Sequence, residues 1–168
     1  MGWFRKSAPA EPLAVTMAGV KLGDRLLAVG VSDPGLIAAL AVKSGLTGRA
    51  CAVDADQARV QLAGPAIERE GALAEVTSAP WDALPYDPSS MDVAVVTQVL
   101  LTLPEDARAR AAAEILRVLR PGGRAIVIEH APGGAQAVGT LQAAGFAAVR
   151  ELAVYKKVSY VEGIKRAG

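Results

Sequence analysis

One imidazole, one thiol and two indoles are a sparse set of reactive side chains for 168 residues. The imidazole is His130, preceded by Glu129 and following the apolar run Ala125–Ile128. A histidine there is the candidate general base, since an imidazole exchanges its proton near neutral pH. Its plainer reading is a loop histidine bonded to backbone or water. Thr97 and Gln98 end another apolar run, where they can line a pocket or cap the next helix. Trp81 can stack on a flat ligand or fill the core. Asp33-Pro34 has the form of a helix cap followed by proline at the first helical position. With one histidine and one cysteine, no metal site is expected, and Cys51, inside an apolar run, is expected to be a buried strand thiol.

The elements that must position these groups alternate along the chain. Glu11–Val20 predicts a short lead-in helix, and Lys21–Asp24 a turn around Gly23. Then RLLAVG, RACAVDA, ALAEVTS, MDVAVVTQ and GGRAIVIEH predict strands. Between or after them PGLIAALAVKSG, DQARVQLAGPAIEREG, PEDARARAAAEILRVLR and GGAQAVGTLQAAG predict helices. Such alternation calls for parallel strands joined by right-handed crossovers, with helices on both faces of the sheet. The end departs from it, because FAAVRELAVYKK and VSYVEGIKR are two adjacent strand-like runs, expected to form an antiparallel hairpin with Lys156-Lys157 in its turn. Residues 1–10 stand apart as an N-terminal arm, and residues 11–168 make one domain.

The composition bounds the rest. A 52% hydrophobic chain rich in alanine, valine and leucine suits strands buried on both faces. A net charge of +1 and scattered basic residues give no footprint for nucleic acid. The single cysteine suits a reducing compartment, and no signal-like core or span of roughly 20 apolar residues is visible, so the expectation is a cytoplasmic chain.

Four segments in order, GVKLGDRLLAVG, CAVDAD, WDALPYDPSSMDVAVVTQVLLTLP and EILRVLRPGGRAIVIEH, resemble the class I S-adenosylmethionine-dependent methyltransferases, with the pattern of the ubiquinone and menaquinone biosynthesis type. The resemblance runs from Gly19 to Lys165. It implies a Rossmann-like, seven-stranded, mostly parallel sheet whose last strand is inserted antiparallel.

The resemblance also implies where a cofactor would be held. The family's glycine loop falls on Ala28–Gly35, where Gly30 keeps a family glycine. Ser32 and Pro34 replace the next two glycines, and Ala28 replaces an acid. Glycines serve such a loop because the backbone turns sharply and must approach the ligand closely. Asp54 ends the second strand, where a carboxylate can accept both ribose hydroxyls; its alternative is a strand-end acid that starts a turn or helps cap the helix beginning near Asp56. Pro80 stands where the family has an acid facing the adenine amino group, and a prolyl side chain accepts no bond. The implied cofactor residues are therefore Gly30, Ser32, Asp54, Trp81 and Thr97, provided that S-adenosylmethionine binding is retained.

The substitutions fall on ligand-facing positions while the pattern of elements is intact, and no lid segment is visible. The expectation is a methyltransferase-like protein with a lost or weakened cofactor site, no bound cofactor, and a non-catalytic role as a structural or binding subunit of a larger assembly. The alternative is an active enzyme methylating a small molecule, with His130 as base. Trp3, Phe4, Arg5 and Lys6 are the expected partner contacts, because aromatics beside basic residues suit a protein interface or a membrane headgroup layer. That places the chain on the cytoplasmic face of a membrane-bound complex.

Overall fold

The computed structural model describes residues 11–168 of the chain. Strands β1 (Arg25–Val29), β2 (Arg49–Asp54), β3 (Glu75–Ser78), β4 (Met91–Thr97), β5 (Leu119–His130), β6 (Ala147–Tyr155) and β7 (Val158–Ile164) form one sheet in the order β3-β2-β1-β4-β5-β7-β6. The first five pair in parallel with one another, whereas β7 enters antiparallel between β5 and β6. The expected hairpin and the expected insertion are both present.

The inner strands β1, β2 and β4 are apolar because both faces are covered. Leu26 and Ala28 of β1 join one core layer with helices α1 (Leu13–Ala18), α2 (Pro34–Ser44) and α3 (Gln57–Arg69). Leu27 and Val29, pointing the other way, join a second layer with α4 (Glu105–Val118) and α5 (Gly134–Ala144). Each fully buried leucine here is worth roughly 1.5–3 kcal/mol. Local chemistry sets the helix ends: Asp33 accepts the Leu36 amide at 3.1 Å with Pro34 next in the chain, and Asp56 accepts the amides of Ala58 and Arg59. Two expectations are adjusted. The lead-in helix is six residues, stopped by Gly19 at φ +58°, and the Pro-Gly-Gly turn is absorbed into the start of β5. That start pairs with β4 through a register shift, and Gly122 donates its amide to the Lys165 carbonyl at 2.8 Å.

Charged side chains tie the two edges of the sheet. At the amino edge Asp92 of β4 accepts the Arg25 backbone amide at 2.7 Å, the Arg25 guanidinium at 3.0 and 3.1 Å, and Arg120 Nε at 2.7 Å, clamping β1, β4 and β5. At the carboxyl edge Glu129 of β5 is buried and accepts the Leu101 amide at 3.2 Å, steadying the 3-10 turn Leu100–Thr102 that follows β4. Behind α1, the Arg124 guanidinium reaches the Ala18 and Met17 carbonyls and Glu162.

These two carboxyls give opposite pH dependences. Hydrogen bonds from Arg25, with help from Arg120, hold Asp92 down to about 2. Its contribution is present above the unfolded value near 3.9 and is lost as pH falls through about 2, amounting to roughly 2 kcal/mol. Acid titration of stability in the wild type and in Asp92→Asn checks this, the variant lacking that part of the acid loss. Burial instead raises Glu129. Its contribution is full below the unfolded value near 4.3 and lost as pH rises through the folded one. Glu129→Gln, which keeps an acceptor for the Leu101 amide, is expected to melt higher than the wild type at pH 7, with the gap closing toward pH 4.

Candidate functional site

In an open parallel sheet, ligands sit beyond the carboxyl ends of the strands where the strand order reverses. Here that point lies between β1 and β4, and a hollow of about 300 Å³ opens there. It is lined by Gly30, Ser32, Asp54, Arg59, Trp81, Thr97, Gln98, Val99 and Thr102, so all five sequence-implied cofactor residues come together. A second hollow of about 230 Å³ adjoins it through Trp81, with Ala55, Pro80, Leu103 and Ala107 among its walls. Together they make a trough with one aromatic face at the junction. Its first part is at the small end of the roughly 300–1,000 Å³ usual for ligand pockets. Larger hollows lie on the helix surfaces between α4 and α5 and at the amino ends of β2 and β3, away from this edge.

Gly30 is required by the protein itself. Its φ is +93°, and a Cβ would come within 2.7 Å of the Thr97 carbonyl oxygen and 2.8 Å of Val99 Cγ2. The β1 loop therefore passes the end of β4 too closely for any side chain, whatever ligand is present. After it the chain turns inward at Val31, whose amide is donated to Asp54 Oδ2 at 3.0 Å. Ser32 is exposed on the rim, while Asp33 is spent on the α2 cap.

Asp54 is the buried charge of the site, only 2% exposed. Besides Val31, it accepts the Asp56 amide at 2.9 Å and a two-pronged contact from Arg59, with Nη2 3.1 Å from Oδ1 and Nε 3.2 Å from Oδ2. Asp54 thus lines the trough and at the same time organises the turn into α3. Arg59 is half exposed, and its other arm lies 3.8 Å from Asp56. Sequence reasoning missed Arg59, although a signal existed. With Asp56 as cap, Arg59 falls in the first turn of α3, and helical side chains lean back toward the N-terminus and hence toward the end of β2.

Gln98 has φ +53°, a left-handed conformation rare for a residue with a long side chain, and its amide is held by the Ile128 carbonyl at 2.9 Å. It sits in the trough wall beside Thr97 and Thr102. His130 is not among the trough residues: it ends β5 opposite Val158 and is exposed. Cys51 is fully buried, and burial lifts its thiol to about 11, which makes it an inert core group. Trp3, Phe4, Arg5 and Lys6 lie outside the described residues. Among the described residues no group of three or more His, Cys, Asp or Glu side chains is placed to hold a metal, and no helix is long and apolar enough to cross a membrane.

Comparison with known proteins agrees with this geometry. A curated relative, the ubiquinone/menaquinone biosynthesis C-methyltransferase UbiE of Hydrogenovibrio crunogenus, is 28% identical over 118 residues, covering 69% of this chain and 46% of its own. The chain thus spans under half the length of that relative. Among solved structures, a SAM-dependent methyltransferase from Aquifex aeolicus superposes with a TM-score of 0.79 at 21% identity, over 90% of this chain and 87% of its own. The YcgJ protein of Bacillus subtilis gives 0.76 at 14% identity, over 93% and 97%. At such identities the likeness is one of fold. The methyltransferase domain model matches residues 27–127, from the first core strand through the fifth and so across the whole trough. By that match and by its sheet order, the chain belongs to the methyltransferase domain family, with the class I S-adenosylmethionine-dependent fold.

Proposed function

We propose that this chain is a methyltransferase-domain protein whose S-adenosylmethionine site is weakened, and that it works as a non-catalytic binding subunit of a larger, membrane-associated assembly. The observation that carries this reading is the state of Asp54. A carboxylate offers about four acceptor positions. Two backbone amides and the Arg59 guanidinium take them, leaving none for ribose hydroxyls until Arg59 swings out. Giving up a charge-assisted contact of a half-exposed arginine costs roughly 1–2 kcal/mol, or about five- to thirtyfold in affinity.

The rest of the trough points the same way. Asp33 places a carboxylate on the Leu36 amide in the first turn of α2, and a ligand carboxylate brought to that loop would be repelled. Pro34 has no amide to offer, and the Pro80 side chain has no acceptor for an adenine amino group. When bound, S-adenosylmethionine supplies an electrophilic methyl group. Trp81, Thr97 and Asp54 are the residues that fit it, and His130 stands outside the trough wall. A protein partner replaces the missing chemistry in this reading, with Trp3, Phe4, Arg5 and Lys6 as its contact.

A second reading, an active methyltransferase acting on a small molecule, is favoured by the convergence of Gly30, Ser32, Asp54, Trp81 and Thr97 on one hollow. Calorimetric titration with S-adenosylhomocysteine separates the two. The expected result is no saturation below about 1 mM for the wild type, and binding about five- to thirtyfold tighter for Arg59→Ala, which frees Asp54. Micromolar binding by the wild type that disappears in Asp54→Ala would overturn the proposal in favour of the enzyme.

A further inference from the structure

The β6–β7 hairpin closes through two residues, Lys156 and Lys157, between the paired Tyr155 and Val158. Both lysines have positive φ, +47° and +62°. A two-residue hairpin turn of this kind needs φ above zero at both positions, and asparagine-glycine satisfies it with the least strain. Here lysine occupies both places, so the turn accepts a conformational cost and displays two ammonium groups at the outermost point of the ribbon. Tyr155 and Val154 beside them are 52% and 54% exposed, and Lys156 Nζ lies 5.3 Å from the centre of the Tyr155 ring.

Neither lysine has a carboxylate partner among the described residues. The acidic groups around the ribbon are directed elsewhere. Glu151 lies over Gly134 further down β6, and Glu129 is buried against the Leu101 amide. The base of the tip is firm: the Ala131 amide is donated to the Lys157 carbonyl at 2.9 Å, and His130, exposed, pairs with Val158. The tip therefore stands at the end of β5, on the same carboxyl edge as the trough.

We propose that this tip is a contact site for an anionic lipid surface. The two lysines would meet headgroup phosphates, and Tyr155 and Val154 would enter the interfacial layer. Neighbouring strand residues point to opposite faces, so the apolar surface wraps the ribbon end. That shape suits entry along the ribbon axis into a soft, charged layer, where tyrosine and lysine are both favoured. The inference goes beyond the reading of the trough and does not require the trough to hold a ligand.

The test is co-sedimentation of the full chain with vesicles of phosphatidylcholine alone and of phosphatidylcholine mixed with phosphatidylglycerol. Binding is expected only to the mixed vesicles and is expected to weaken as salt rises. The double variant Lys156→Asn, Lys157→Gly should bind them about thirtyfold more weakly while melting at the same temperature or higher, since its turn is the better formed one. Tyr155→Ser should also weaken binding. No sedimentation by the wild type, or equal binding by the double variant, overturns the proposal. Binding of soluble polyglutamate that depends on both lysines but not on Tyr155 overturns it in favour of an acidic protein partner.

Discussion

A carboxylate buried at the end of a central strand must find hydrogen bonds or be expelled, and Asp54 finds them in three separate pieces of chain. The Val31 amide comes from the loop after β1, the Asp56 amide from the turn after β2, and the guanidinium from α3. One charge therefore sets how the first two strand-to-helix connections meet. The floor of the trough follows from that meeting. Asp54 thus both lines the trough and is the group that its own protein most needs to satisfy.

The remaining walls follow from close approach. Gly30 lets the β1 loop touch the Thr97 carbonyl, and Glu129 holds the turn carrying Thr102 from the far side of β4. Neither residue needs a ligand to explain it, and both shape the space where a ligand would lie. The amino edge is governed by a different arrangement, with Asp92 shared between the arginines at the starts of β1 and β5. The sheet is thus pinned by charge at one edge and left with a recess at the other, as the family's architecture requires.

Five residues other than glycine adopt positive φ, and three of them stand at the carboxyl edge, Ser89 and Ala148 lying elsewhere. Gln98, Lys156 and Lys157 all adopt left-handed backbone conformations without being glycine. Departures of this kind persist where the surrounding structure over-determines them and are most common at working sites. Gln98 is constrained by the Ile128 carbonyl at the trough wall, and the lysines by the β6–β7 hairpin and its pairing with β5. The same edge therefore carries the recess, the lone histidine and the basic tip.

Much of this was legible in the residues alone. Hydrophobic periodicity, the Asp33-Pro34 cap and the Lys156-Lys157 turn are local matters, decided within a few residues by backbone preference and burial, and the structure contains each of them. The family resemblance brought Gly30, Ser32, Asp54, Trp81 and Thr97 to one place because it carried the order of the strands with it. What the residues did not disclose was which side chains meet around the trough. The capture of Asp54 by Arg59, the exclusion of His130 from the wall, and the service of Glu129 to a turn 28 residues away depend on which side chains packing brings within about 3 Å. Sequence alone determined the elements and their order, since those rest on short-range preference. Only the tertiary structure decided which charges meet, because that pairing depends on distances fixed when separate elements pack together.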